Sequence, residues 1–158
     1  MRFPYVSDIH LEFLSENEII HIESFIKPCC DVLVLAGDTG NPYHITYSTF
    51  LTKISVKFKK VFLIAGNHEY YGNEIDHTKQ IIHNIVHQIP NITFLDNTFE
   101  DYEGFRWIGS TLWTHIDKPE YHINDLKYIQ SFDVNKYNAM HLESKEYFKN
   151  ILKASHDE

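Results

Sequence analysis

The sequence VLVLAGD at residues 32–38 decides the fold class of this chain, because five apolar residues end abruptly in glycine and aspartate. An uninterrupted apolar run of this length favours a strand that is buried on both faces, as in a parallel sheet. Comparable runs lie at residues 3–6 and 61–65, and polar residues follow each of them closely. The three runs therefore predict three strands of one buried sheet.

The segments between and after these runs predict helices. Three helices are expected, at residues 16–26, 47–58 and 74–88, and Pro90 ends the third. The alternation predicts an α/β fold with a parallel β-α-β-α-β core. Beyond the core we expect shorter strands at 92–95, 98–102 and 105–109, a long, partly ordered loop at 113–138, and a last helix at 139–152. No linker or repeat interrupts residues 1–158, which predicts a single domain.

Composition argues against several classes of protein. The chain has 158 residues, with 14 Lys+Arg against 22 Asp+Glu and a formal net charge of −8. An acidic surface disfavours tight, non-specific binding of nucleic acid, which needs basic residues to neutralise phosphates. No apolar run approaches the roughly 20 residues that cross a bilayer. The N-terminal sequence also lacks the pattern of a secretory signal, so we expect a cytoplasmic protein without a membrane partner.

Polar side chains follow all three core strands. Asp8, Asp38 and Asn67 are separated by 30 and 29 residues, which is the length of one βαβ unit. Parallel strands end at one edge of a sheet, and ligands of open α/β sheets bind at that edge. Asp8 and His10 are two residues apart, so a carboxylate and an imidazole converge on one cation. The spacing predicts a metal site at this edge.

The residues around these positions resemble a known family. The sequences SDIH at 7–10, LAGD at 35–38 and AGNHE at 65–69 are similar, in order and spacing, to three motifs of the calcineurin-like metallophosphoesterase superfamily. WIGSTLWT at 107–114 resembles a strand and loop that follow these motifs in many members. The resemblance implies an α/β/β/α sandwich, of which this chain contains the N-terminal half. It also implies a two-metal site that hydrolyses phosphate mono- or diesters.

The resemblance assigns a role to each site residue. Asp8 and His10 would bind a first metal ion, and Asp38 would bridge it to a second. Asn67 would bind the second ion, and His68 would be the catalytic acid that protonates the leaving oxygen. Carboxylate, amide and imidazole ligands suit divalent ions such as Mn, Fe or Zn. Such ions hold the ester phosphate and activate the nucleophile for in-line attack.

One part of the family pattern is absent. Members continue with a ligand histidine after a later strand and with a Gly-His-x-His motif, and this sequence contains no Gly-His-x-His. We therefore expect a chain truncated at its C-terminus, with at most one tightly held metal ion and weak hydrolysis. Missing strands would expose Trp107, Ile108 and Leu112, so we expect self-association or a partner chain at this surface.

Two functions stay open at this point. One is a phosphoesterase that acts on a phosphate-ester substrate, and the other is an inactive binding module that retains the phosphoesterase fold. A flavodoxin-like nucleotide binder is disfavoured, because no glycine-rich phosphate loop follows the first strand. The identity of the ester and of the metal does not follow from the sequence.

Overall fold

Four parallel strands form the central sheet of this protein. The computed structural model describes residues 2–15, 17, 18, 21, 24, 26–118 and 123–154. The strands neighbour one another in chain order: β1 (Tyr5–Val6), β2 (Val32–Ala36), β3 (Lys60–Ile64) and β4 (Ile92–Phe94). The predicted α/β fold with a parallel core is confirmed. Most of the predicted helix at 16–26 lies outside the described residues.

Two helices cover one face of this sheet. Helix α1 (Ile45–Ser55) connects β2 to β3, and α2 (Ile75–His87) connects β3 to β4. Side chains alternate between the two faces of a strand, so every second residue of β2 and β3 meets the helices. The largest core cluster joins both sets of side chains, including Leu33, Leu35 and Leu63 of the strands and Phe50, Ile54 and Ile82 of the helices.

A hairpin covers part of the opposite face. Strands β5 (Thr98–Tyr102) and β6 (Phe105–Gly109) pair antiparallel and have the predicted bounds. The Trp107 ring stacks on Phe62 of β3, with the ring centroids 4.5 Å apart. Val32, Phe62 and Leu95 form the small buried cluster beneath it. The sheet therefore has two apolar faces, as the uninterrupted strand sequences predict.

The prediction of a loop over residues 113–138 is wrong in two places. Residues Asn124–Tyr128 form a short helix, α3, and the last helix, α4 (Val134–Ala154), begins before its predicted start at 139. The Asp133 carboxylate accepts the N–H of Lys136 at 2.8 Å, which is the hydrogen bond of a helix cap. This cap explains the earlier start of α4.

The apolar residues predicted to be exposed differ in burial. The side chain of Leu112 is 69% exposed, whereas Trp107 and Ile108 are half-buried. Trp107 is shielded because its ring also contacts Phe3, with the centroids 4.9 Å apart. No helix in the described parts of the chain is both long and apolar enough to span a membrane.

Candidate metal centre

Four of the five predicted site residues lie close together at the carboxyl edge of the parallel sheet: Asp8, His10, Asp38 and His68. Asp8 follows β1, Asp38 follows β2, and Asn67 and His68 follow β3. The Nε2 atom of His10 lies 4.0 Å from Asp8 Oδ1 and 4.0 Å from Asp38 Oδ2. The backbone N–H of His68 donates to Asp38 Oδ1 at 3.0 Å. The structure thus places a carboxylate between the loops that follow the first and third strands.

Three of these residues have a left-handed backbone. The φ angles of Asp8, His10 and Asp38 are 56°, 51° and 52°. This conformation costs a residue other than glycine roughly 1–2 kcal/mol. Hydrogen bonds between the two loops hold it, because the N–H of Asp8 donates to the Gly37 carbonyl at 3.1 Å and that of His10 to the Asp38 carbonyl at 2.9 Å. Local strain of this kind concentrates at functional sites.

The Glu69 side chain connects the loops after β2 and β3 by hydrogen bonds. Its side chain is buried, and its carboxylate accepts the backbone N–H groups of Asp38 at 3.0 Å, Thr39 at 2.7 Å and Gly66 at 2.8 Å. Burial, followed by the negative charge of Asp38, raises the pKa of Glu69 to about 7, and the N–H donors oppose that rise. Glu69 is therefore a structural anchor that connects the loops after β2 and β3.

Glu12 lies between the two imidazoles of the site. Its Oε1 atom is 3.2 Å from His10 Nδ1 and 3.4 Å from His68 Nδ1. An imidazole that donates its Nδ1 proton keeps the Nε2 lone pair available as a ligand. Glu12 Oε2 is buried and has no hydrogen-bond partner among the described residues. A buried carboxylate oxygen without a hydrogen-bond partner is costly, and a metal cation bound nearby would compensate its negative charge.

Asn67 is oriented by a buried carboxylate from α3. Its Nδ2 donates to Asp125 Oδ1 at 2.7 Å and to the Tyr71 hydroxyl oxygen at 3.0 Å. The Tyr71 hydroxyl in turn donates to Asp125 Oδ1 at 2.8 Å. Burial, followed by the hydrogen bond to Asp125, raises the pKa of Tyr71 well above its ordinary value, so the phenol keeps its proton. Among the described residues, both hydrogen-bond partners of the Asn67 side chain thus engage its nitrogen.

Glu12, Asp125 and Tyr71 are not among the site residues that the sequence predicts. Glu12 continues the alternation that begins with Asp8 and His10, so its spacing was a usable signal. Asp125 lies in the segment that was predicted to be a loop, and no local pattern connects it to Asn67. Tyr71 stacks on the His68 ring, with the centroids 4.3 Å apart, and no local pattern in the sequence predicts this contact.

The assembled donor set fits a divalent cation. His10, Asp38 and His68 each offer a ligand atom, and these atoms all lie within 4.8 Å of one another. Two imidazoles and a carboxylate suit Mn, Fe or Zn. Asp8 lies at the outer edge of the group, with its side chain 69% exposed. The individual ligand roles of Asp8, His10, Asp38 and Asn67 stay predictions, as does the acid role of His68.

Comparison with known proteins identifies the family of this chain. The family model for calcineurin-like phosphoesterases matches residues 1–157. The chain belongs to this family. It is also 33% identical to an uncharacterized protein of Acanthamoeba polyphaga mimivirus over 175 aligned positions, which cover 96% of this chain and 62% of that protein. This calcineurin-like phosphoesterase chain thus spans 62% of the length of the relative that it matches.

Proposed function

We propose that this chain acts as a metal-dependent phosphoesterase, which hydrolyses phosphate mono- or diesters at a site for up to two divalent cations. The observation that supports this best lies at the edge of the parallel sheet, where His10 Nε2 is 4.0 Å from both Asp8 Oδ1 and Asp38 Oδ2. Membership of the calcineurin-like phosphoesterase family supports the same reaction. The proposed substrate is a phosphate ester whose leaving oxygen lies within hydrogen-bond distance of His68.

Each site residue has a distinct part in the proposed reaction. Asp8, His10 and Asp38 would hold one cation, and Asp38 with Asn67 would hold the other. When bound, divalent cations neutralise the phosphate oxygens and make water a stronger nucleophile. His68 would carry the proton for the leaving oxygen, and the Glu12 carboxylate beside its Nδ1 atom, at 3.4 Å, would keep the ring oriented.

The proposal is tested by hydrolysis of bis(p-nitrophenyl) phosphate and p-nitrophenyl phosphate with added Mn²⁺ or with EDTA. We expect slow hydrolysis that depends on Mn²⁺. Asp38→Asn should lower the rate of hydrolysis at least about 100-fold, because the loss of a metal ligand costs more than the roughly 10–100-fold typical for a residue that only supports a ligand. Asp117→Asn, at an exposed aspartate, is the matched control. A folded protein that binds Mn²⁺ but hydrolyses neither ester is the inactive binding module.

Elemental analysis of the same preparations counts the metal ions. We expect at most one tightly held ion per chain, because the second position offers only the shared Asp38 carboxylate and the neutral Asn67 oxygen. Two ions per chain with rapid hydrolysis would contradict this expectation and show that the 158 residues form a complete two-metal site.

The His68→Ala variant tests whether His68 is a proton donor or a metal ligand. We expect this variant to lower kcat about 100-fold, since a positioned general acid contributes about 10²–10⁴-fold to a rate. Its metal content should stay close to that of the wild type. His87→Ala, at the exposed end of α2, serves as the control. Loss of the metal ion from His68→Ala would show that His68 is a ligand instead.

Self-association is a further prediction about the exposed apolar residues. The side chains of Tyr5 and Leu112 are 74% and 69% exposed, and β6 pairs only with β5 among the described residues. Exposed apolar surface and an open strand edge favour association with a second copy of the chain. Light scattering should show a mass that rises with concentration, and Leu112→Ser should reduce that rise. A monomer at every concentration would contradict the prediction.

A further inference from the structure

A side-chain amide must be turned the right way before it can bind a cation. The two ends of asparagine have nearly the same shape, but the oxygen is a ligand and the NH₂ group is only a donor. The orientation is therefore read from the hydrogen-bond partners of the group. At Asn67 those partners are Asp125 and Tyr71, and both engage Nδ2.

The Asp125 carboxylate disfavours the flipped orientation of the Asn67 amide, in which the amide oxygen would face it. An ionised carboxylate only accepts hydrogen bonds, so it pairs with the NH₂ end of an amide and repels the oxygen end. Its Oδ1 atom lies 2.7 Å from Asn67 Nδ2, and the residue is 7% exposed. Burial strengthens this preference, because an unpaired polar atom is costly away from water.

The backbone holds Asp125 in place through the rest of α3. The N–H of Gly72 donates to the Tyr128 carbonyl at 2.7 Å, and the N–H of Gln130 donates to the Asn73 carbonyl at 3.0 Å. These two hydrogen bonds attach both sides of the α3 C-terminus to the loop that follows Asn67. The carboxylate is thus fixed relative to the amide that it orients.

We propose that Asp125 is a positioning residue, which turns the oxygen of Asn67 towards the cluster of His10, Asp38 and His68. The inference rests on the proposed function, because it gives the amide oxygen a cation to bind. Tyr71 adds to the effect by occupying the same Asp125 oxygen, at 2.8 Å, while its ring stacks on His68. Asp125 thereby connects α3 to the metal centre without contacting the cation itself.

The test is a double-mutant cycle on Mn²⁺ binding, measured by calorimetry on the full chain. Asp125→Ala should weaken the second, looser Mn²⁺ binding step about 10-fold, which is typical for a residue that supports a ligand. Asn67→Ala, which removes the proposed ligand itself, should weaken that step at least as much. The double variant should be no weaker than Asn67→Ala alone, because Asp125 acts only through Asn67. Asp125→Asn, which keeps one acceptor oxygen, should lie between Asp125→Ala and the wild type. Asp117→Ala is the control.

The possible outcomes separate the two proposals. Additive losses in the double variant, or an Asp125→Ala variant that binds as the wild type does, would overturn the positioning role alone. If Asp125→Ala does not fold, the cycle is completed with Asp125→Asn. A second Mn²⁺ binding step that is absent from the wild type, or that Asn67→Ala leaves unchanged, would overturn the ligand assignment of Asn67 and the positioning role with it. A wild-type chain that takes up no Mn²⁺ would overturn the proposed function as well.

Discussion

Glu69→Ala is expected to lower the free energy of unfolding by about 4 kcal/mol, because it removes the acceptor for several buried N–H groups at once and each costs about 1–3 kcal/mol when left unpaired. The carboxylate accepts the backbone N–H groups of Asp38, Thr39 and Gly66, which lie on the loops after β2 and β3. Urea unfolding in the presence of EDTA measures the loss without any contribution from bound metal.

Two further variants identify the cause. Glu143→Ala, at an exposed position of α4, should change the free energy of unfolding by less than about 0.5 kcal/mol. Glu69→Gln retains one acceptor oxygen but brings an NH₂ group against the N–H donors, so it should recover only part of the loss. A Glu69→Ala variant as stable as Glu143→Ala would show that the hydrogen bonds to the loops do not stabilise the fold.

Gly66→Ala is expected to disrupt the metal centre. A Cβ atom at this position would lie 2.7 Å from the backbone nitrogen of Asp38 and would overlap its carboxylate. Because the backbone atom cannot rotate away, the Asp38 loop must shift. We expect Mn²⁺ affinity to fall at least about 10-fold and the free energy of unfolding to fall by about 2 kcal/mol, as for an overpacked core. Calorimetry and urea unfolding measure the two effects.

Gly104→Ala is the glycine control for this variant. Gly104 lies in the hairpin turn with a φ of +76°, and a Cβ atom there would have open space around it. We expect a loss of about 1 kcal/mol from the left-handed backbone alone, and no change in Mn²⁺ binding. If Gly66→Ala binds Mn²⁺ as Gly104→Ala does, the close approach between Gly66 and Asp38 is not required for the site.

The core of the fold follows from short sequence patterns. Strand β2 has the predicted bounds of Val32–Ala36, because a buried apolar run interrupted by glycine leaves few alternatives. Placing Asp8, Asp38 and Asn67 at one edge of the sheet needed only the parallel topology, since the carboxyl ends of parallel strands share an edge. The local pattern and the sheet geometry thus predict most of the cluster.

Contacts between distant segments were not predictable in this way. Asn67 and Asp125 are separated by 58 positions, and their hydrogen bond depends on how α3 packs against the loop after β3. The polar composition of residues 113–138 conceals α3, because a helix of five residues shows no hydrophobic period. The role of Glu69 was also not predictable from the sequence. Its carboxylate oxygens accept backbone N–H groups, which every residue except proline has, so no sequence pattern identifies them.

The left-handed backbone at Asp8, His10 and Asp38 restricts which amino acids can occupy these positions. Aspartate, asparagine and histidine adopt this conformation several-fold more often than most residues, whereas β-branched and bulky side chains adopt it only rarely. The φ angles of 56°, 51° and 52° therefore favour aspartate, asparagine and histidine at these positions independently of any ion. Glutamate adopts this conformation less readily than aspartate, and its side chain is also one methylene group longer, which would displace the carboxylate. The loop geometry and the coordination chemistry thus favour the same small set of side chains, which narrows the mutational routes by which this site could change its metal preference.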